Sequence, residues 1–196
     1  MTEIIEISTE RLLLRQWRKE DRVGFAQLNA DPAVMQYYPA VISQGESNIL
    51  AEKIQSLISE NGWGFWAVER LSDKSFIGFV GLNEPSYDLP VTPCVEIGWR
   101  LAKDYWGKGY ATEAANAALA LAFNQLALSR VYSFTSVSNL RSRAVMARLQ
   151  MVNTGQNFEH PIIPPGHPLR EHVLYAIDKQ RWLDYSCEST EGREST

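Results

Sequence analysis

The sequence predicts a mixed α/β domain, a sheet of parallel and antiparallel strands with helices on both faces. Three observations carry this reading. Strand-like apolar runs alternate with segments of helical period along most of the chain. Two of the runs, 62–70 and 76–82, are joined by the short turn Ser72-Asp73-Lys74, as in an antiparallel hairpin. A strand–helix–strand unit spans 94–135, and a right-handed crossover there pairs its two strands in parallel.

The elements follow in order. Residues 11–17 read as a strand and 19–29 as a helix, with Val23, Phe25, Ala26 and Leu28 as its apolar contacts. Asp31-Pro32 starts a short helical turn toward Tyr37-Tyr38-Pro39. Residues 46–59 form a second helix, in which Ile49, Leu50, Ile54, Leu57 and Ile58 recur at helical spacing. After the hairpin, Pro90 and Pro93 break residues 87–93 into a loop. A strand at 94–101, the main helix at 109–126 and a strand at 131–135 come next. A helix at 139–150, a strand at 152–158, a proline-rich loop at 161–168 and a closing strand at 171–177 complete the order. Residues 1–185 are expected to form one domain, and the polar tail 186–196 to be disordered.

Composition narrows the function. A chain of 196 residues, 45% hydrophobic and 21% charged, is long enough to bury a sizeable core. Its formal net charge of -4 argues against a general nucleic-acid binder. No apolar run is long enough to span a bilayer, and residues 1–6 lack the basic and apolar regions of a signal peptide. Cys94 and Cys187 are then expected to be reduced thiols in a cytoplasm. The two cysteines and His160, His167 and His172 match no metal spacing, so no metal site is expected. A homodimer is a reasonable default expectation for such a chain.

The most informative segment is Asp104-Tyr105-Trp106-Gly107-Lys108-Gly109-Tyr110-Ala111-Thr112-Glu113-Ala114. Two glycines flank a lysine after an apolar strand and before an alanine-rich helix. Glycines let main-chain N–H groups turn outward, and the helix start adds unpaired donors and a positive dipole end. A pyrophosphate fits such a place. The Walker pattern fails, because one residue separates the glycines and Tyr110 follows. The dinucleotide fingerprint fails too, because Thr112 stands at its third glycine. What remains is a mid-chain Gly-x-Gly cradle or a tight turn with no ligand.

The surroundings favour a ligand. Glu96-Ile97-Gly98-Trp99, followed by the segment from Tyr105 to Ala114, resembles the acetyl-CoA-binding motif of the GCN5-related N-acetyltransferases (GNAT). The branch it looks most like contains the ribosomal-protein alanine N-acetyltransferases. Thr9-Glu10-Arg11-Leu12-Leu13-Leu14-Arg15, Asn139-Leu140-Arg141-Ser142 and His172-Val173-Leu174-Tyr175 are similar to its opening strand, a helix start and its closing strand. The resemblance covers residues 9–182. It implies a mostly antiparallel mixed sheet whose one parallel strand pair splays apart, with the pantetheine arm of CoA in the wedge. An amide-bearing arm can satisfy splayed strands as an added strand would.

The resemblance also implies roles. Main-chain N–H groups of Gly107, Lys108, Gly109, Tyr110, Ala111 and Thr112 would bind the pyrophosphate. An N–H around Trp99, Arg100 and Leu101 would polarise the thioester carbonyl. Asn139 would bond the pantetheine, and Ser142 would sit near the sulfur and protonate the thiolate. Both also suit plain helix capping. By strand alternation Val95, Ile97, Trp99 and Leu101 share one face, and Glu96, Gly98 and Arg100 the other. Glu96 is thus a candidate general base, directly or through water, or else a structural carboxylate. Glu159 and His160 are weaker candidates, and His172 reads as structural.

The sequence departs from the family twice. Met146 stands where many members have a tyrosine acid, and Gln150-Met151 replaces the usual Gly-Phe. A thiol is already a fair leaving group, so no acid is obligatory. Lys108, Arg141, Arg143 and Arg148 are possible phosphate contacts or a solvated face. The expectation is an N-acetyltransferase moving acetyl from acetyl-CoA to a primary amine, a protein N-terminus or a small molecule. The alternative is a non-catalytic acyl-CoA-binding or sensing module.

Overall fold

A computed structural model describes residues 2–191, with side chains described to residue 185. Contacts divide the chain into two compact groups, one made of residues up to 84 with 97–118, the other of 85–96 with residues from 119 onward.

The first group holds β1 (Ile7–Ser8), β2 (Leu12–Arg15), α1 (Asp21–Ala30), α2 (Gln44–Asn61), β3 (Phe65–Arg70) and β4 (Ser75–Asn83). It also holds all but the first residue of β5 (Glu96–Leu101) and the start of α3 (Tyr110–Asn124). Its strands lie in the order β1-β2-β3-β4-β5, with β1 to β4 antiparallel in succession. The helices sit where local signals put them. Ser43 and Glu46 make a capping box, each side chain meeting the other's main-chain N–H, so α2 opens at Gln44, two residues before the expected start. The core is aromatic: Trp17, Phe25 and Phe79 stack edge-on or tilted, with the Trp17 and Phe25 centroids 4.8 Å apart. Trp66 is fully buried and its indole N–H donates to the Ile5 carbonyl.

Two expected core residues of this group face outward. Val23 is 60% and Ile49 68% exposed. The buried line of α2 is Ser47, Ala51, Ile54 and Ile58, and Ile49 falls off that stripe. α1 buries Asp21, Phe25, Leu28 and Asn29, and two of these, Asp21 and Asn29, are polar residues that periodicity alone excludes from a core.

The second group holds β6 (Arg130–Ser136), α4 (Leu140–Arg148), β7 (Val152–Asn153), β8 (Phe158–Glu159), β9 (Glu171–Asp178) and α5 (Lys179–Glu191). β6 and β9 pair antiparallel over their full length, from Arg130↔Asp178 to Ser136↔His172. The parallel ladder of β5 with β6 has one register position, Glu96↔Tyr132. The strand expected at 152–158 is two short pieces. A turn at Gly155 (φ 74) separates β7 from β8, and each pairs with β9. α4 ends with Gln150 left-handed (φ 60) and the Met151 N–H on the Met146 carbonyl, a Schellman close. Gln150 therefore adopts the conformation that the family's glycine would supply. α5 covers 179–185, which the sequence left without an element, and runs into the expected tail; 192–196 lie outside the described residues. Among the described residues no helix is long and apolar enough to cross a membrane.

Candidate functional site

The strand-to-helix turn is built as an amide cradle. β5 ends at Leu101, and Lys103–Tyr105 form a 3-10 turn whose continuation is pinned by the Trp106 indole N–H on the Leu101 carbonyl, 2.8 Å. Gly107 (φ 71) and Gly109 (φ 83) are both left-handed, a region costly for other residues. A Cβ on Gly107 would meet nothing within 4 Å. Gly107, Lys108 and Gly109 are exposed. The first amide of this stretch with a main-chain acceptor is that of Glu113, bonded to the Gly109 carbonyl at 3.0 Å. The N–H groups of Gly107 through Thr112 have no acceptor among the described residues. Consecutive amides without an internal acceptor at a helix start are chemically suited to an anion.

A side-chain brace holds this turn in place. Glu113 accepts from the Thr9 hydroxyl (2.6 Å), the Arg11 main-chain N–H (2.9 Å) and Arg11 Nε (2.7 Å). Arg11 Nη1 donates to the Lys108 carbonyl at 3.1 Å, and its guanidinium lies 4.7 Å from the Tyr110 ring centroid. Burial works against the Glu113 charge, but the bonds from Thr9 and Arg11 outweigh it and hold the carboxyl below its usual range. The brace fixes the first turn of α3 and brings a second cation, beside Lys108, to the cradle. Lys108 is itself 5.7 Å from the Tyr105 ring centroid. Sequence reading missed Arg11 and Glu113 as a pair, because roughly a hundred residues separate them. The signal present was that both fall inside the quoted motifs.

On β5, Ile97 and Leu101 are buried as the alternation predicts, while Trp99 is only partly so. The Arg100 side chain goes to a different place from the cradle. Its Nη1 donates to Asn29 Oδ1 at 2.6 Å, and its guanidinium stacks on the Tyr38 ring at 4.1 Å.

The remaining candidates belong to the second group. Glu96 is partly buried at the start of β5, opposite Tyr132. Its charge and burial together push the Cys94 thiol upward, burial contributing more. Asn139 caps α4: its Oδ1 accepts from the Ser142 N–H at 3.2 Å, and its Nδ2 donates to Thr135 Oγ1 at 2.8 Å. Met146 is 1% exposed, and a thioether has no proton to give. Arg143 donates to the Val137 carbonyl. Glu159 pairs with Arg170 at the surface. His160 and His172 are buried with ring centroids 4.7 Å apart, among Tyr87, Phe134 and Phe158. Burial, then the charge of His172, lowers His160 to about 4, so it is a weak base, poorly suited to take a proton from an ammonium.

A mixed sheet with one parallel pair and a glycine-bounded amide cradle at a strand-to-helix turn defines a class, the acetyltransferase fold. The model of the acetyltransferase (GNAT) domain matches residues 11–152, and the chain belongs to this family of acetyl-CoA-dependent acetyltransferases. A Bacillus subtilis protein named as the uncharacterized N-acetyltransferase YnaD is 29% identical, over 91% of this chain and 99% of its own. The FsC-acetyl coenzyme A-N(2)-transacetylase of Aspergillus fumigatus is 30% identical, over 90% of this chain and 77% of its own. The crystal structure of a GNAT acetyltransferase from Bacillus anthracis superposes with a TM-score of 0.74 at 25% identity, covering 90% of this chain and 99% of that one.

Proposed function

We infer that this chain is an N-acetyltransferase that moves the acetyl group of acetyl-CoA to a primary amine, of a protein N-terminus or a small molecule, by direct attack in a ternary complex. The observation that carries the reading is the run of N–H groups from Gly107 to Thr112 with no acceptor among the described residues. Those donors, with Lys108 and Arg11 beside them, are a chemical match for a diphosphate. When bound, acetyl-CoA supplies an activated acetyl thioester.

The protein's own groups have separate tasks. The cradle binds and orients. Glu96, a strand carboxylate, accepts the ammonium proton directly or through water, freeing the amine lone pair. Ser142 offers a hydroxyl to the departing sulfur, a role carried over from the family, as is that of Asn139 on the pantetheine. Met146 donates nothing where many members have a tyrosine acid, which leaves Ser142 as the donor, and the ordinary acidity of a thiol makes a dedicated acid dispensable.

Replacing Gly109 by Leu tests the cradle. Its Cβ would stand in ordinary contact with Arg11 Nη2, 3.4 Å away, but at a φ of 83° that strains any side-chain-bearing residue and distorts the turn. We expect calorimetric affinity for acetyl-CoA to fall by about 100-fold or more, the loss of several charge-assisted bonds, with the circular dichroism of the fold retained. Unchanged affinity refutes the assignment. Thiol release over a panel of amines then separates an enzyme from an acyl-CoA sensor.

A further inference from the structure

We propose that Arg100 is an acceptor-recognition residue whose guanidinium binds a carboxylate carried by the amine substrate. The proposal rests on the N-acetyltransferase reading above and adds the chemical class of the acceptor.

Arg100 makes one hydrogen bond, Nη1 to Asn29 Oδ1 at 2.6 Å, and no ion pair among the described residues. Its Nε is buried and has no partner among the described residues. Asn29 cannot neutralise it. The amide is fully buried and held in one orientation, because its Nδ2 donates to Ser47 Oγ at 2.9 Å and its oxygen is left to face the donor. The remaining contacts are aromatic. The guanidinium lies 4.1 Å from the Tyr38 centroid and 5.4 Å from that of Phe79. Stacking holds the plane of the group and leaves its edge without an acceptor.

That edge has a specific shape. The Nε–H and the neighbouring Nη2–H of a guanidinium point the same way in one plane, at the spacing of the two oxygens of a carboxylate. With Nη1 committed to Asn29, the edge left over is this bidentate one. A buried donor without an acceptor is costly, and a carboxylate that satisfies it recovers the cost on binding. Apolar rings lie beside it. Gly98, two residues back on the same face of β5, has no side chain, and a Cβ there would come 3.1 Å from the Phe65 ring. Phe65 and Phe79 are in ring contact at 5.1 Å. Aromatic rings thus extend from Gly98 to the cation. Tyr38 belongs to the irregular segment between α1 and α2, so the lid over Arg100 is a loop able to reshape around what it covers.

Carboxylates come from two sources, the α-carboxylate of a free amino acid and an acidic side chain near a peptide N-terminus. The test uses matched pairs at fixed acetyl-CoA. Glycine and β-alanine are compared with their amides, and Ala-Asp amide with Ala-Asn amide. The wild type is expected to prefer one carboxylate set by roughly tenfold or more in kcat/KM, the worth of a charge-assisted bond. Whichever set it prefers names the source. Arg100→Gln is expected to erase the preference by raising KM for the carboxylate member, with KM for acetyl-CoA unchanged. A readout without turnover accompanies it. The 15N-resolved Arg Nε–H signal missing from the Arg100→Lys spectrum should shift when the preferred carboxylate is titrated, and stay still with its amide. No preference in the wild type, a preference kept in Arg100→Gln, or a static Nε–H signal overturns the proposal. Inactivity on the whole panel with acetyl-CoA binding intact overturns it too. Loss of acetyl-CoA binding in the wild type sinks the underlying enzyme reading instead.

Discussion

Two strand arginines of the same compact group, Arg15 on β2 and Arg100 on β5, are treated in opposite ways. Arg15 is 2% exposed and saturated. Nε donates to Glu69 Oε2 (2.7 Å), Nη1 to Asp21 Oδ2 (2.7 Å) and the Gln16 carbonyl (3.1 Å), and Nη2 to Asp21 Oδ1 (2.9 Å). Both carboxylates are buried, and each takes a further bond, Asp21 from the Arg18 N–H and Glu69 from the Arg18 guanidinium. Burial opposes the charge of Arg15, yet the hydrogen bonds and charges of Asp21 and Glu69 more than offset it and raise its pKa. Arg100 has one neutral partner and an orphaned Nε. A structural cation is one the protein has finished pairing. A cation left with an open edge is a receptor.

Breaking the finished network should have the largest effect. Arg15→Met leaves Asp21 and Glu69 close together, buried and without their main counter-charge. Removing one partner from a buried ion cluster costs about 3–5 kcal/mol, a large share of a domain's stability. Urea unfolding should show the loss as a lower midpoint with no gain in acetyl-CoA affinity. A change under about 1 kcal/mol would mean that water already enters the site, and the contrast with Arg100 would dissolve.

His160 in the second group sharpens the comparison, because it is a buried base with a third solution. Its Nε2 lies 3.3 Å from the Tyr87 hydroxyl, and among the described residues its buried Nδ1 has no partner and no carboxylate is bonded to it. Unlike arginine, histidine escapes by staying neutral. Burial first, and then the neighbouring His172, hold it down to about 4. Between the ordinary histidine value near 6.5 and about 4, the unfolded chain takes a proton that the fold refuses. Stability is therefore full above that window and is lost as pH falls through it, on the order of 2 kcal/mol. His160→Phe should flatten the slope of the thermal midpoint between those pH values. An unchanged slope would assign the acid sensitivity to carboxylates such as Glu113, which act below their usual range.

The sequence carried the cradle more clearly than these networks, and for a physical reason. Gly107, Gly109 and the start of α3 act through local main-chain conformation, so their spacing is itself the structure. The parity of β5 was legible for the same reason, as was the crossover to β6. Arg15 with Asp21 and Glu69, Arg11 with Glu113, and Arg100 with Asn29 are set by tertiary placement, which no periodicity records. Polar residues inside apolar helices gave the only hint. Asp21 and Asn29 occupy buried positions on α1, where a pattern reading expects Val23, and Val23 is outside. Gln150 shows the converse: a departure from the family glycine left the backbone in the left-handed turn, because the Schellman bond and the Arg181 contact to its carbonyl hold it there. α5 escaped because its stretch, Lys179 to Glu191, is mostly polar, and helix formation there owes more to packing than to pattern.

The smallest expected effect is the most discriminating. Arg100→Met removes an uncompensated cation and its orphaned Nε, which favours the fold. It also strands the buried Asn29 Oδ1 and gives up the stack on Tyr38, each worth on the order of 1 kcal/mol. A linear thioether fills much of the same volume. These changes oppose one another, so the net change in unfolding free energy should stay within about 1 kcal/mol. The same urea titration used for Arg15→Met measures it side by side. A structural arginine would give losses of similar size in the two variants. A receptor arginine gives a stable protein that no longer distinguishes a carboxylate from its amide, because the free edge of Arg100 serves the ligand and contributes little to the fold.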